Sequence, residues 1–228
     1  MNETQHLSSQ LEGDLNHLRT SVLQMGGLVE TQIAAAIAAY SSGEIGSVKQ
    51  IVETDRMVND IEKAIDDDCA HLIARRQPAA SDLRLVFGIS KIVTDLERVG
   101  DEAKKIAKGA RRVHEHGQVQ LPRAADVRHV ADEAVEMLRQ ALDCFARLDT
   151  DSAALIIQAD AKVDTEFKAI LRQLITYMME DPRTISTAMD IIWIARAIER
   201  IGDHAKNIAE HVIFIVEGRD IRHRGKEA

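Results

Sequence analysis

The chain has 228 residues and a formal net charge of −8, with 45% hydrophobic and only 3% aromatic residues. This apolar content excludes a disordered acidic tail and supplies a hydrophobic core. The negative charge argues against nucleic acid as a partner, because phosphate binding needs clustered positive charge. Cys69 and Cys144 show no metal-type spacing, so we expect reduced thiols in a core.

Apolar residues recur at alternating steps of three and four, which predicts six helices. Short connections make consecutive helices antiparallel, and three helices with apolar stripes close a bundle. The predicted fold is therefore all-α, with two tandem three-helix bundles over residues 1–117 and 118–228. The predicted turns lie at breaker or capping residues, in chain order Ser41-Ser42-Gly43, Pro78, Pro122, Asp149-Thr150-Asp151 and Pro182.

The second half of the chain repeats the first. The twelve residues from Leu96 to Ala107 match Ile198 to Ala209 at an offset of 102, with eight identities. In helices 2 and 5, Asp55-x-x-Val58-Asn59 matches Asp160-x-x-Val163-Asp164 at an offset of 105. Agreement at two places in the same order indicates an internal duplication.

Carboxylates stand where the helical pattern calls for apolar residues. Asp55 and Asp160 lie in the apolar stripes of helices 2 and 5, and Asn59 and Asp164 follow on the same face at i+4. A buried unpaired carboxylate costs several kcal/mol, so a compensating group is expected. Helices 3 and 6 carry the matching acidic pairs, Glu97 with Asp101 and Glu199 with Asp203.

The paired groups lie at equal heights in antiparallel helices. The midpoint of Asp55 and Asn59 is 21 residues before Pro78, and the midpoint of Glu97 and Asp101 is 21 residues after it. At about 1.5 Å per residue, both lie roughly 31 Å from the turn. In the second half the corresponding separations from Pro182 are 20 and 19 residues. Each half therefore predicts four oxygen-bearing side chains at one level.

Such oxygen clusters are typical ligands of hard and borderline cations such as Mg²⁺, Mn²⁺, Fe and Zn²⁺. The sequence does not choose among these ions. We expect a weaker site in the first half, because Asn59 is neutral where Asp164 is charged. The alternative is that the acids pair with neighbouring basic side chains and hold no metal, the candidates being Arg98, Arg200, Lys104 and Lys206.

Leu96 to Asp101 and Ile198 to Asp203 closely resemble the doubled motif of the PhoU family, the accessory regulators of high-affinity phosphate transport. Family-like stretches also include Arg19 to Glu30, Ala74 to Pro78 and Tyr177 to Asp181, so that the resemblance covers roughly residues 8 to 224.

The resemblance implies a cytoplasmic, non-enzymatic negative regulator of phosphate uptake and phosphate-starvation signalling. It implies two partners, the ATPase subunit of the phosphate ABC transporter and the sensor histidine kinase, and membrane association only through them. It also implies a homodimer of helical bundles with metal clusters at the E/D-x-x-x-D motifs. By position, those motifs correspond to Asp160, Asp164, Glu199 and Asp203, and then to Asp55, Glu97 and Asp101, while Asn59 departs from the acidic pattern.

Two other readings of the carboxylates remain. A ferritin-like di-metal oxidase needs Glu-x-x-His motifs within its helices, and the chain has one such motif, Glu3 to His6, in the polar N-terminal segment. A metal-free helical adaptor needs no ligands at all. The N-terminal segment shows no signal-peptide pattern, and the longest uninterrupted apolar stretches are far shorter than a membrane span, so we expect a cytoplasmic protein.

Overall fold

The computed structural model describes the backbone of residues 2–43, 45–115 and 124–221, and side chains within 9–43, 46–115 and 126–221. In these ranges it contains six long helices and no strand, which confirms the predicted all-α fold. Short 3₁₀ turns at Ile45–Ser47 and Pro182–Thr184 precede the second and last helices. The long helices are α1 (Asn2–Ser42), α2 (Val48–Arg76), α3 (Ala80–Glu115), α4 (Ala124–Arg147), α5 (Thr150–Glu180) and α6 (Ile185–Glu217).

The predicted turns coincide with helix ends wherever the structure describes them. Gly43 follows α1 with φ of 76°, a left-handed conformation that favours glycine. Asp149 caps α5 by accepting hydrogen bonds from the backbone N–H groups of Asp151 and Ser152. The Pro122 turn and the proposed boundary between residues 117 and 118 lie outside the described residues. The Glu3 to His6 motif lies within α1 rather than in an irregular tail.

Helices α3 and α6 form the centre of the molecule. They pack against each other, while α1 and α2 pack on α3, and α4 and α5 pack on α6. Helices α1 and α4 also meet, so the two three-helix bundles are joined on one side of the central pair. We call the opposite side of α3 and α6 the front face. Buried residues of both halves form one continuous core.

The central helices are antiparallel and in close contact. Gly88 near the start of α3 lies against Ile215 near the end of α6, and Gly109 lies against Ile194. A Cβ atom at Gly88 would lie 2.3 Å from Cγ1 of Ile215, and one at Gly109 would lie 2.7 Å from Cγ1 of Ile194. These two glycines therefore let α6 side chains reach the α3 backbone.

Residues Ser9–Ser42 of α1 are long and apolar enough, by length and composition, to cross a membrane. In the fold, however, the apolar stripe of this segment is buried in the core, including Leu18, Val22, Met25 and Val29. A core helix of a soluble protein meets the same two criteria, so the segment is weak evidence for a span. Both cysteines are free and buried, as expected.

We predict that Gly88→Ala destabilises the fold by about 1–3 kcal/mol through overpacking against Ile215. Helix propensity alone would predict a gain of up to about 1 kcal/mol. Gly27→Ala is the matched control, because a Cβ atom there meets nothing within 4 Å, and this variant should be neutral or stabilising. Urea unfolding gives both values. Equal stability of the two variants would contradict the close contact, and Ile215→Ala should relieve the loss in the double variant.

Candidate metal centre

The first predicted cluster lies between α2 and α3, held by a lysine. Asp55 is only 4% exposed, and its Oδ2 accepts a hydrogen bond of 2.6 Å from Nζ of Lys104. The same ammonium group lies 2.6 Å from Oδ1 of Asp101. A Cβ atom at Gly100 would lie 3.6 Å from Val58 and 3.8 Å from Oδ1 of Asp55, so the glycine brings the helices close beside the acids. The level pairing of these two helices is therefore confirmed.

The second cluster, between α5 and α6, repeats this arrangement. Asp160 is 7% exposed, and its Oδ2 accepts a hydrogen bond of 2.7 Å from Nζ of Lys206, the counterpart of Lys104. Glu199 is also buried, and its Oε1 accepts a hydrogen bond of 2.6 Å from Arg196. Asp164 is more exposed, with Nζ of Lys168 at 3.9 Å.

Burial and neighbouring carboxylates raise the pKa of three of the predicted ligands, Glu97, Glu199 and Asp203. Burial raises the pKa of Glu199 from 4.5 to about 7, and the charge of Asp203 adds to the effect. Burial also raises the pKa of Asp203, followed by the charges of Asp160 and Asp164. In the first half, burial and then Asp101 and Asp55 raise the pKa of Glu97. One carboxylate raises the pKa of another only when the two lie close together, so these acids share one environment in each half.

Three buried oxygens of the predicted ligands make no hydrogen bond. They are Oδ1 of Asp55, Oδ1 of Asn59 and Oε2 of Glu199. A buried polar atom without a partner is unfavourable by about 1–3 kcal/mol, so such atoms need an explanation. Oxygen donors with free lone pairs match the donor set of a carboxylate-bound cation. The kinds of side chain present therefore suit a metal ion in both halves.

The predicted ligands are nevertheless not gathered as tightly as a metal requires. Among the described residues, three candidate ligand atoms lie within 4.8 Å of one another at one place, formed by His129, Glu133 and Glu166. In both predicted clusters a lysine ammonium lies against the buried aspartate instead. The alternative of charge pairing is thus realised by Lys104 and Lys206, while Arg200 pairs outside the cluster with Glu102.

The chain matches known proteins over nearly its full length. The sequence model of the PhoU domain matches residues 22–110 and 127–212, one segment in each half. The chain belongs to the PhoU family. It is 50% identical over 223 residues to a phosphate-specific transport system accessory protein PhoU homolog of Pseudomonas putida, covering 97% of this chain and 86% of that protein. It is 44% identical over 225 residues to the accessory protein PhoU of Escherichia coli K12, covering 99% and 92%.

Solved PhoU structures have the same fold. The crystal structure of PhoU from Pseudomonas aeruginosa matches with a TM-score of 0.87 and 49% identity, covering 91% of this chain and 99% of that one. The regulatory protein PhoU of Streptococcus pneumoniae matches with a TM-score of 0.85 and 27% identity, covering 92% and 99%. The resemblance to PhoU, with the non-enzymatic character that it implies, is confirmed.

A polar network between the PhoU halves was not apparent from the sequence. Asp95 of α3 is buried, and its carboxylate contacts His204 at 2.8 Å, Asn207 at 3.2 Å and His211 at 3.1 Å on α6. Burial is the largest single effect on the pKa of Asp95, and it raises that pKa. The hydrogen bonds from His204, His211 and Asn207 together outweigh burial and lower the pKa to about 2. His204 follows the predicted ligand Asp203 in the sequence, but it bonds to Asp95 and its side chain is only 13% exposed.

Two further features escaped the pattern analysis. Gln32 of α1 is 2% exposed, and its amide nitrogen donates to the carbonyls of Ile51 and Gly100, next to the first cluster. A glutamine within an otherwise apolar stripe is the signal that could have revealed it. The His129 and Glu133 pair is spaced i, i+4 on α4, a recognisable pattern, but its approach to Glu166 depends on the packing of α5.

We predict that Glu199→Gln flattens the pH dependence of stability in chelator. The folded-state pKa of about 7 exceeds the ordinary 4.5, so the folded protein holds this proton more tightly than the unfolded chain does. The stabilising contribution is complete below about pH 4.5 and is lost as pH rises to about 7. Unfolding by urea from pH 5 to pH 8 measures the slope. Glu136→Gln, at an exposed position, should keep the wild-type slope, and equal slopes in all three proteins would contradict the assignment.

Proposed function

We propose that the chain is the accessory protein of a phosphate transport system and acts there as a negative regulator of phosphate uptake and phosphate-starvation signalling. The support is its extensive similarity to proteins named as phosphate-specific transport system accessory proteins. In this proposal the chain works in the cytoplasm as an adaptor and catalyses no reaction. Its partners are the ATPase subunit of the transporter and the sensor histidine kinase, and it functions as a homodimer.

We further propose that both carboxylate clusters bind divalent or trivalent cations. Asp160, Asp164, Glu199 and Asp203 would hold the ion in the second half, and Asp55, Asn59, Glu97 and Asp101 in the first. The observation that carries this proposal is the buried Oε2 of Glu199, which lacks a partner in a cluster whose pKa values are raised. A bound cation would neutralise the carboxylates and link α5 to α6 and α2 to α3.

The chain's own lysines define the competing state. Lys104 and Lys206 supply one positive charge each to the buried aspartates. The pKa values of Glu97 and Asp203 stay raised beside them. A cation of higher charge would satisfy the same acids more completely, and it would release the lysine to solvent. Metal content and lysine position are therefore linked in this proposal.

We predict that exchanging Asn59 and Asp164 exchanges the strengths of the two sites. Asn59→Asp should increase the metal retained by the first half, and Asp164→Asn should decrease it in the second, because each change alters one ligand charge. Elemental analysis of purified protein, before and after chelation and reloading, measures the ion content. Glu199→Gln with Asp203→Asn should abolish the second site, and Glu136→Gln is the matched exposed control. Absence of retained metal from the wild type and every variant would support the metal-free adaptor, and equal non-zero content would place the ion outside these clusters.

We predict that deleting the chain derepresses phosphate-starvation genes in phosphate-rich medium. Loss of a negative regulator leaves the sensor kinase active although phosphate is plentiful. A transcriptional reporter of the starvation response measures the effect, and the wild-type chain supplied in trans is the control. Unchanged reporter activity after deletion would contradict the regulatory role.

A further inference from the structure

The front face carries a groove lined by positive side chains, between α3 and α6. Its volume is about 360 Å³, which lies within the range of small-molecule sites. Five basic side chains surround this one cavity, so it is locally positive although the chain as a whole has a net charge of −8. We call this the basic groove, and the residues that form its charged and aromatic walls are Lys105, Lys108, Arg112, Trp193, Arg196 and Arg200.

Buried carboxylates fix several of these cations in place. Glu102, which is 4% exposed, accepts hydrogen bonds from Lys105 at 2.9 Å and from Arg200 at 3.3 Å. Asp190 is also buried, and it accepts a bond of 2.6 Å from Arg112. The acids lie beneath the surface, while the basic side chains remain about half exposed. The groove therefore presents pre-positioned positive charge to solvent, which lowers the entropic cost of binding an anion.

An aromatic side chain completes the groove. Trp193 is 59% exposed, although exposure of so large an apolar surface is unfavourable unless something covers it. Arg200 lies seven positions after Trp193 along α6, which corresponds to about 10 Å. One cavity thus offers a flat ring at the end where Arg112 pairs with Asp190, and the cations Lys105 and Arg200 towards the other end.

The internal duplication shows that the fold itself does not require this groove. Because the two halves are related by the 102-residue offset, α3 and α6 form a second place equivalent to the groove. Most of the groove's residues are replaced there. If cations were needed to pack the two helices, both positions would carry them. The counterparts of Lys105, Lys108, Arg112 and Trp193 are, in that order, Asn207, Glu210, Phe214 and Lys91.

We propose that the basic groove binds a nucleoside phosphate, with the base against Trp193 and the phosphates among Lys105, Arg196 and Arg200. Stacking on an indole face accepts any nucleobase, and lysine and arginine side chains neutralise phosphate oxygens. An acidic polypeptide would pair with the basic side chains of the groove. It would give no specific role to the exposed indole ring of Trp193 beside them. The groove adjoins the second carboxylate cluster through Arg196, which also pairs with Glu199, but the proposal does not rest on metal binding or on the regulatory role.

The intrinsic fluorescence of Trp193 tests the proposal directly, because the chain contains one tryptophan. The protein is titrated with ADP in chelator and low salt, so that ions at the carboxylate clusters cannot hold the phosphates. We expect saturable quenching with a Kd below about 1 mM, confirmed by equilibrium dialysis. Adenosine should bind at least about tenfold more weakly, and pyrophosphate should compete with ADP, because the phosphates supply the charge.

Charge reversal locates the site. Lys108→Glu should weaken ADP binding by about tenfold or more. Lys91→Glu, the same charge reversal on α3 at the counterpart of Trp193 and outside the groove, should leave it unchanged. Trp193→Leu, followed by dialysis, should weaken ADP binding but retain pyrophosphate binding. The proposal is overturned by absence of saturable ADP binding, or by equal loss in the Lys108 and Lys91 variants. Binding of a polyglutamate peptide that ADP fails to displace would also overturn it, and would identify the groove as a docking surface for acidic protein.

Discussion

The close antiparallel contact between α3 and α6 determines where charge can accumulate in this molecule. Gly88 and Gly109 let side chains of α6 reach the backbone of α3, and the two bundles thereby share one core. If the whole contact between α3 and α6 were apolar, the front face would be hydrophobic as well. The edges of this contact carry ionisable groups instead. Asp95 with its histidine partners bridges the seam, and Glu102 anchors basic side chains above it.

The buried aspartates Asp55 and Asp160 impose the second constraint. Each replaces an apolar residue in a helical stripe, and each is neutralised by a lysine one turn beyond the glycine of the facing helix. One ammonium group is insufficient for the whole cluster, because Glu97, Asp203 and Glu199 keep raised pKa values. The proposed cation would supply the missing positive charge, whereas a fully paired network would need none. The fold is stable with lysine in place because one ammonium group pairs with each buried aspartate.

Much of the fold could be predicted from the sequence because its signals are local. Pro78 and Pro182 punctuate the helices, Gly43 and Asp149 end and begin them, and the repeated Glu-x-x-x-Asp motif aligns the halves. The level pairing of acids followed from helix rise alone. The bridge from Asp95 to His204 could not be predicted in this way, since it joins residues 109 positions apart across two bundles. The sequence also could not show whether a lysine or a metal ion lies against the buried aspartates, because both suit the same acidic pattern.

The duplication is conserved in the interior and broken at the surface, and this difference separates architecture from specialisation. Gly100 and Gly202, Asp55 and Asp160, and Lys104 and Lys206 occupy matching places because both halves solve the same packing and charge problem. Asn59 against Asp164 alters ligand charge without altering the fold. Lys108 against Glu210 inverts the charge of an exposed helix position, where packing imposes little restriction. Differences between otherwise equivalent positions therefore mark the places where the two halves have acquired separate roles.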